Sequence, residues 1–513
     1  MPGGRLSSRL SNFARSFITL IFAPQSDALS MPQDSTLQTD WVIQTVPEDV
    51  WKVIFEIYSH EISRQSSEFI RLSHVCSLWR SIVNNAPELW TDVGLDICFN
   101  ERKKWTCKPN TELLSLILSR SRTMPLTMSL EGGALTRVHI KSRHLKHLKV
   151  FLRATQRAKR LRLNIVLISN LLQSEIDVYD TFKKELLRFP ASQLEHLALE
   201  LFMPDMLVNA VPLLSYFWKA APLLRSFVSY GNRLLTEDVR ALRNARFPFR
   251  QLTVLGIEID VRAFFKLLPL TPSLVSGTFV LAVEEDIIFY KMKCVRLDGL
   301  KDLTLITMQD DRDDYWDSED EDEQEDGEPL MQILEYIVTP HLKTLSLCFW
   351  KHSWSFDCFC TFMNETPSPP RIEDFTFDPV GVPEEDQIEC LELLPFLQIL
   401  NVTINHFVKD VDEEDLVGRA LFAAMQQRDT ETAAFVLCPR LEKVVVSYNA
   451  LSSAAKTIFP EMVEGRWRDS LEKGRQFEVV VQVGDPGECE PERLPELVPL
   501  LVLKRSGLNL RIK

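Results

Sequence analysis

Residues 342–347 read Leu342-Lys343-Thr344-Leu345-Ser346-Leu347, and copies of this Leu-x-x-Leu-x-Leu pattern recur along most of the chain. Clear copies begin at Leu194, Leu252 and Leu300, and weaker ones at Leu223, Ile372, Leu397 and Leu441. Side chains of a short strand alternate between its two faces, so the last two apolar residues of a copy point into a core and the residue between them points out. The pattern predicts a series of short strands that each bury one face.

The spacing of the copies predicts how these strands are arranged. Most successive copies are about 25 to 30 residues apart, which is the period of leucine-rich repeats. Segments with helical periodicity lie between copies, at 211–220, 261–268 and 331–337. We therefore expect an α/β fold, an irregular leucine-rich-repeat-like solenoid with parallel strands and outer helices. Because the copies lack the fixed Asn or Cys of the strict repeat, a single α/β fold with repeated Leu-rich strands remains the alternative.

A different pattern precedes the repeats. Its pieces are Val46-Pro47-Glu48-Asp49-Val50, Ile54-Phe55, Leu72-Ser73-His74-Val75-Cys76-Ser77-Leu78-Trp79-Arg80-Ser81-Ile82 and Pro87-Glu88-Leu89-Trp90. Pro followed by two acids is typical of a helix start. Apolar residues then recur at three- and four-residue spacings over 46–58 and 69–83, which predicts two amphipathic helices of about three turns each, with Trp51 in an exposed position. So short a module has little core, and part of its apolar surface should face a partner.

These pieces, in this order, resemble an F-box, and the whole chain is similar to the large F-box families of mushroom-forming fungi. The resemblance implies a small three-helix module that docks the Skp-type subunit of a cullin-based ubiquitin ligase. Carried over residue by residue, the partner-binding candidates are Val46, Pro47, Val50, Ile54, Leu72, Val75, Cys76, Trp79 and Trp90. The alternative is a helical hairpin that packs only on the rest of the chain.

If the F-box interpretation is right, the repeats bind an unknown substrate protein and present it to the ligase. Outward-facing strand positions would contact it, and the candidates are Glu195, His196, Thr253, Asp302, Thr304, Lys343, Thr344 and Ser346. The chain would then act as an adaptor that holds substrate close to the ligase. A scaffold whose F-box-like hairpin engages no ubiquitin ligase is the competing function, and an enzyme is a distant third.

Five segments follow from these patterns. We expect a flexible N-terminal tail at 1–40, the F-box at 41–95, a first part of the solenoid at 96–308, an acidic disordered insertion at 309–329, and a second part with a C-terminal cap at 330–513. The first 26 residues hold three Arg, many Ser and no acid, a composition that overlaps that of mitochondrial transit peptides. A flexible tail is the favoured interpretation.

Charge is unevenly distributed along the chain, whose net charge is −14. Thirteen acids stand against Arg312 alone between Asp310 and Glu328, and so many like charges favour a solvated loop. Ser318 within this run resembles an acid-directed kinase site. The opposite imbalance spans 132–174, with ten Lys or Arg and no acid. Because aromatic residues are scarce there, we expect a solvated face or a contact with an acidic substrate, and no nucleic-acid partner.

The remaining features exclude several classes. An apolar fraction of 45% indicates a globular chain, and the ten Cys show no CxxC pair, which favours free thiols in the cytoplasm or nucleus. His352, Cys358 and Cys360 form only a loose metal-like group, so we expect no metal and no cofactor. The sequence contains no apolar run long enough for a spanning helix and none of the common phosphate-loop, dinucleotide, zinc-protease or hydrolase motifs. A soluble protein that is not an enzyme is expected.

Overall fold

A computed structural model of the chain describes residues 46–61, 68–99, 105–132, 145–164, 176–200, 206–282, 289, 292–307, 330–349, 354–364, 369–380, 382–404, 416–483 and 494–512. The predicted tail at 1–40 and the acidic insertion at 309–329 lie outside the described residues, as does Ser318. The chain divides into two compact units. Unit 1 consists of Met1–Ser226 and Ala241–Pro248, and unit 2 of Phe227–Arg240 and Phe249–Lys513.

The α-helices are distributed along both units. They are α1 (Glu48–Glu61), α2 (Glu68–Leu72), α3 (Ser77–Asn85), α4 (Thr111–Arg120), α5 (Leu145–Ala154), α6 (Ile176–Arg188), α7 (Met206–Trp218), α8 (Thr236–Asn244), α9 (Val261–Leu267), α10 (Phe356–Asn364), α11 (Glu384–Glu392), α12 (Arg419–Gln426), α13 (Ser453–Glu472) and α14 (Val498–Arg505). Short 3₁₀ helices cover Pro87–Trp90, Thr155–Arg157, Phe249–Gln251, Leu268–Leu270, Leu330–Tyr336, Tyr448–Ala450 and Pro495–Leu497.

Most strands belong to parallel ladders. The strands are β1 (Asp92–Phe99), β2 (Trp105–Lys108), β3 (Leu126–Glu131), β4 (Ala158–Asn164), β5 (His196–Glu200), β6 (Ser226–Leu234), β7 (Val254–Asp260), β8 (Ser276–Ala282), β9 (Val295–Arg296), β10 (Asp302–Thr307), β11 (Ile337–Val338), β12 (Thr344–Cys348), β13 (Asp374–Phe377), β14 (Ile399–Val402), β15 (Lys443–Ser447), β16 (Glu478–Gln482) and β17 (Asn509–Ile512).

Neighbouring strands follow one another almost in chain order within each unit. Unit 1 has the order β2-β1-β3-β4-β5, with β1 and β2 antiparallel and the other pairs parallel. Unit 2 has the order β6-β7-β8-β10-β12-β13-β14-β15-β16-β17, and all pairs from β7 to β17 are parallel. A separate two-stranded parallel pair joins β9 and β11. The α/β class is confirmed, and this order is compatible with the expected solenoid-like fold.

The buried faces of the strands line up in register. In unit 2 one such row holds seven apolar residues with at most 4% exposure, namely Leu303, Leu345, Phe375, Leu400, Val444, Val479 and Leu510. Fully burying each side chain of this size stabilises a fold by about 1.5 to 3 kcal/mol before the loss of conformational entropy. The repeat therefore builds a continuous core, one strand at a time.

All eight copies of the repeat recognised in the sequence lead into a strand. The residue between the two buried positions is partly exposed in each clear copy, for example Thr304 and Ser346. Two of the three predicted helical segments are α-helices, whereas 331–337 is largely the 3₁₀ helix Leu330–Tyr336. The repeat pattern did not reveal β3, β4, β8, β16 and β17, because a residue other than Leu stands at one or more pattern positions of each, namely Pro125, Ala158, Gly277, Val479 and Gly507.

A glycine in unit 2 allows one helix to cap the next. Glu384, at the start of α11, accepts a hydrogen bond from the backbone N–H of Leu421 at 3.0 Å, in the first turn of α12. A carboxylate at this place satisfies an otherwise free helix N–H and interacts favourably with the helix dipole. A Cβ on Gly418, the residue before α12, would overlap the Glu384 carboxylate. Gly418 therefore leaves the space in which this cap is made.

We expect Gly418→Ala to destabilise unit 2 by about 1 kcal/mol, since the added methyl displaces the capping carboxylate. Gly465→Ala is the matched control, because Gly465 lies within α13 and a Cβ there meets no atom within 4 Å. The control should be neutral or stabilising by up to about 1 kcal/mol, since Ala is the better helix former. Urea unfolding of both variants measures the difference, and equal effects would contradict the capping role.

Candidate functional site

The N-terminal helices form the first candidate site, and α1 begins as its sequence predicts. The carbonyl of Pro47 accepts hydrogen bonds from the N–H groups of Val50 and Trp51 at 3.1 and 3.2 Å. Glu48 and Asp49 lie in the first turn, and Lys52 pairs with Glu48 at 3.2 Å. Negative charge near a helix N-terminus is favourable, so Pro47 and the acids fix where this helix starts.

Three aromatic rings hold α1 against α3. The ring centroids of Trp51 and Trp79 are 4.9 Å apart, those of Phe55 and Trp79 are 5.0 Å apart, and all three side chains are at most 1% exposed. The prediction that Trp51 is exposed is wrong, because Trp51 lies on the side of α1 that faces Trp79. Trp90 is also buried and donates its indole N–H to the carbonyl of Val83 at 2.7 Å. The aromatic residues of this segment thus form its core.

The second predicted helix is interrupted. A turn at 73–75 separates α2 from α3, and Arg80 donates to the carbonyl of Ser73 at 2.9 Å. Cys76 is the N-cap of α3, where its sulfur accepts the backbone N–H of Trp79 at 3.5 Å. The apolar spacing runs through the break and so concealed it. Its consequence is a turn that exposes Val75, at 38% of its surface.

The nine partner-binding candidates separate by exposure. Ile54, Leu72, Trp79 and Trp90 are at most 1% exposed and pack inside the helical segment, where they offer no surface in this arrangement. Val46, Pro47, Val50, Val75 and Cys76 are exposed or half-buried. Val53 is also exposed, at 40%, although it is one of the apolar residues that recur at helical spacing over 46–58. A partner could touch these residues without any rearrangement of the core.

The second candidate site is the outward face of the strands in unit 2. Asp302 and Thr304 on β10 lie in register with Thr344 and Ser346 on β12, and all four side chains are partly exposed. Lys343 is exposed just before β12 and pairs with Glu373 at 2.9 Å. The sheet thus brings these predicted residues together.

The structure adds further polar residues to this face. Asp374 and Thr376 on β13 continue the two rows, and Asn401 on β14 donates to Asp374 at 2.8 Å and to Thr376 at 3.0 Å. Burial raises the pKa of the Asp374 carboxyl, and the negative charge of Asp302 adds to this, whereas Lys443 and Asn401 act in the opposite direction. The sequence could have identified Asp374 and Thr376 as outward-facing. In the copy that starts at Ile372, Phe375 and Phe377 take the places of the two buried Leu, so the residues next to them point outward.

The other predicted substrate-facing residues lie outside strands β10 to β14. Thr253 precedes β7, where its carbonyl accepts the N–H groups of Val275 and Ser276. Glu195 and His196 belong to unit 1 and lie at the start of β5. Burial lowers the pKa of His196, as does the positive charge of Arg160, while Glu195 opposes the change. The prediction grouped these residues only by their repeat position.

Three residues of the basic stretch of unit 1 pair with acids that follow it in sequence. Lys159 contacts Glu195 at 3.4 Å, Arg162 pairs with Glu200, and Arg153 pairs with Glu185 at 2.9 Å. The part of this stretch at 133–144 lies outside the described residues. These pairs reduce the positive potential that phosphate binding would need. They agree better with a mixed-charge surface than with a nucleic-acid site.

One arginine of the basic stretch has a structural role. Arg157 donates to the carbonyls of Met124 and Ser121 at 2.8 and 3.1 Å and to the hydroxyl of Ser121 at 2.9 Å. Arg157 also donates to the carbonyl of Leu118 at 3.4 Å, in the last turn of α4, where helix carbonyls lack partners inside the helix. Arg157 therefore fixes the end of α4 against β4.

Within the described ranges, no group of three or more His, Cys, Asp or Glu is placed to hold a metal ion. His352, one member of the loose group noted in the sequence, lies outside those ranges. Cys358 is buried, and burial raises its pKa to about 11. A thiol held in its neutral form is a poor nucleophile and a poor metal ligand.

Of the helices that the structure describes, none has the length and apolar character needed to cross a membrane. A scan against protein-family models found no match, and a search of the curated proteins gave no significant one. Assignment of a function therefore depends on the residues and geometry described above.

Proposed function

We propose that the chain is a substrate-recognition adaptor of a cullin-based ubiquitin ligase of the Skp-cullin-F-box type. In this proposal residues 41–95 form a three-helix F-box that docks the Skp-type subunit and, through it, a cullin. The strand faces of the repeat units bind an unknown target protein. The chain itself contributes no reacting group, because holding the target close to the ligase accelerates transfer. It needs no cofactor and acts in the cytoplasm, the nucleus or both.

One observation supports this proposal most strongly. The segment with the F-box-like pattern folds into three short helices whose aromatic residues fill the core, while Val53 and Val75 stay about two-fifths exposed. Covering these exposed valines with a partner would lower the free energy by roughly 25 cal/mol per Å² of apolar area buried. A docking role accounts for their presence on a helical segment that is followed by leucine-rich strands.

A second function has an observation in its favour. Four of the nine predicted contact residues are buried in the core of the helical segment, as a purely structural hairpin would require. In that case the chain is a non-catalytic scaffold that engages no ubiquitin ligase. The two functions differ in whether the Skp-type subunit binds.

We expect Val75→Asp to weaken binding of the Skp-type subunit at least about tenfold, because a carboxylate would be desolvated without a partner in the interface. Val208→Asp, on α7, is the matched control, since Val208 is exposed to a similar degree, at 39%, outside the helical segment. Both substitutions should leave the folded state intact. A pull-down of the Skp-type subunit and cullin with the full chain and each variant measures the effect.

Recovery of both proteins with the full chain and with Val208→Asp, and their loss with Val75→Asp, would support the adaptor. Absence of the Skp-type subunit from a pull-down with the folded full chain would favour the scaffold. Equal recovery with both variants would show that Val75 lies outside the interface.

A further inference from the structure

The turns that lead into the strands of unit 2 carry a row of basic residues. The residues three places before the first residues of β12, β13, β14, β15 and β16 are His341, Arg371, Phe396, Arg440 and Arg475. The first residues of these strands are in register, so the five residues follow one another along the same edge of the sheet. We name them the basic row. It holds three arginines, a histidine and a phenylalanine, and no acid.

The phenylalanine of the basic row stacks with two of its arginines. The guanidinium carbons of Arg371 and Arg440 lie over the ring of Phe396, at 5.3 and 5.0 Å from its centroid. Arg371 precedes β13 and Arg440 precedes β15, the two strands on either side of the one that Phe396 precedes. A guanidinium that stacks on an aromatic ring keeps its five N–H donors in a fixed plane. Phe396 therefore orients two sets of donors before a ligand arrives, which lowers the entropy lost on binding.

The two stacked arginines have no anionic partner in the part of the chain that the structure describes. Both are exposed, and the side chains of Arg371 and Arg440 form no ion pair and no hydrogen bond with a described residue. Glu373, the acid nearest to Arg371 in sequence, is paired at 2.9 Å with the lysine that precedes β12. Glu392 and Glu442 are also close in sequence, but they are exposed and pair with neither arginine. Two positive charges thus stand beside one ring without a counter-charge, which an anionic ligand would supply.

The separation of the two arginines indicates how the charges of a ligand should be spaced. Equivalent positions on β13 and β15 are two strands apart, which is about 10 Å. In a polyproline II segment every third side chain lies on the same side of the chain, about 9 Å further along. Carboxylates three residues apart on such a segment can therefore each meet one guanidinium. A carboxylate also matches the planar donor fork of arginine with two hydrogen bonds.

We propose that the basic row binds an acidic segment of a partner protein, with two carboxylates three residues apart paired to Arg371 and Arg440. Charge complementarity selects this occupant over an apolar or basic segment. The ring of Phe396 is already covered by two arginines, so it offers little surface for the stacking of a nucleic-acid base. The row precedes the strands and is distinct from the strand faces discussed above. The inference therefore does not depend on a role in a ubiquitin ligase.

A labelled peptide tests the basic row on the full chain. The Glu probe is a fluorescein-labelled peptide that repeats Glu-Pro-Pro, which favours polyproline II and places a carboxylate at every third residue. One matched probe repeats Gln-Pro-Pro, and a second has the composition of the Glu probe with its Glu residues grouped in adjacent pairs. In fluorescence anisotropy we expect the Glu probe to bind at least about tenfold more tightly than either matched probe. Its binding should weaken as salt is raised.

The double variant Arg371→Gln, Arg440→Gln should weaken binding of the Glu probe at least about tenfold, because both charge-assisted contacts are lost. Arg240→Gln with Arg419→Gln is the matched control, since it removes the same charge from exposed helix positions of unit 2. The control should bind the Glu probe as the unchanged chain does.

Variants of Phe396 test whether stacking orients the arginines. Phe396→Leu keeps the net charge and removes the ring, so binding of the Glu probe should weaken about three- to tenfold. Phe396→Tyr keeps the ring and should bind as the unchanged chain does. Because Phe396 is only half-buried, both variants should stay folded, which circular dichroism checks. Unchanged binding in Phe396→Leu would overturn the orienting role of the ring.

Three results would overturn the proposed occupant. Equal binding of the Glu and Gln probes, or equal loss in the arginine and control variants, would leave the stacked arginines with a purely structural role. Tighter binding of an oligouridylate of equal charge, with the same loss in the arginine variant, would assign the row to single-stranded nucleic acid. Binding of the Glu probe that appears only when the thirteen acids of 310–328 are replaced by Ser would assign the row to that run of the chain itself.

Discussion

Replacing Arg466 with methionine is expected to lower the free energy of unfolding of unit 2 by about 3 kcal/mol. Arg466 lies on α13 and is only 2% exposed. Its guanidinium donates to the carbonyls of Met425, Leu437 and Cys438 at 2.7, 2.6 and 2.7 Å. Methionine fills a similar volume but leaves three carbonyls without this donor. Each buried carbonyl that loses its partner costs about 1 kcal/mol or more.

The surroundings of Arg466 explain why the charge is tolerated. Met425 lies in the last turn of α12, where carbonyls carry partial negative charge, and the ring of Phe435 lies 4.2 Å from the guanidinium carbon. Burial nonetheless lowers the pKa of Arg466 to about 10. The arginine thus connects α12, α13 and the loop that precedes β15.

Arg468→Met is the matched control for Arg466→Met. Arg468 lies two residues further along α13, has a side chain that is 69% exposed, and pairs with the exposed Glu464. Exposed ion pairs contribute about 0 to 1 kcal/mol, so this change should have little effect. Urea unfolding, together with hydrogen exchange of peptides from 419–447, measures both variants. A loss for Arg466→Met as small as that for the control would show that the carbonyls find other partners.

Trp79→Ala is expected to destabilise the N-terminal helical segment by about 3 to 5 kcal/mol, which is typical of large aromatic residues removed from a core. Trp79 is 1% exposed and contacts both Trp51 and Phe55. Its loss would leave a cavity between α1 and α3. Because α1, α2 and α3 are short, little else would hold the segment folded. Hydrogen exchange of 48–85 should therefore become much faster.

Trp79→Phe tests whether the core needs an aromatic ring at this position or the whole indole group. Among the described residues, no hydrogen-bond partner lies within reach of the Trp79 indole N–H, so phenylalanine removes no bond that the structure shows. We expect this variant to lose less than about 1.5 kcal/mol. Binding of the Skp-type subunit should survive Trp79→Phe and fail for Trp79→Ala through loss of the fold. Unchanged hydrogen exchange in Trp79→Ala would contradict the proposed core.

Only some residues of the candidate sites could be predicted from the sequence. The repeat predicted Asp302, Thr304, Thr344 and Ser346 as outward positions, because alternation along a strand depends only on local geometry. Asp374 and Asn401 complete the patch, yet they lie in weaker copies, and only the register places them beside Thr344 and Thr376. Likewise, the spacing of apolar residues in 46–90 could not tell which of them would fill the core and which would face water.

By itself, the sequence determined the α/β class, the succession of Leu-rich strands and the start of α1, since each depends on neighbours within a few residues. Only the tertiary structure decided that Trp51 is buried and that Val75 is exposed on a turn. It also decided that three basic residues of 132–174 pair with Glu185, Glu195 and Glu200, and that Arg466 donates hydrogen bonds to three carbonyls. These features depend on residues that are distant in the chain and meet only when strands and helices pack. Periodicity along a chain carries no information about such partners.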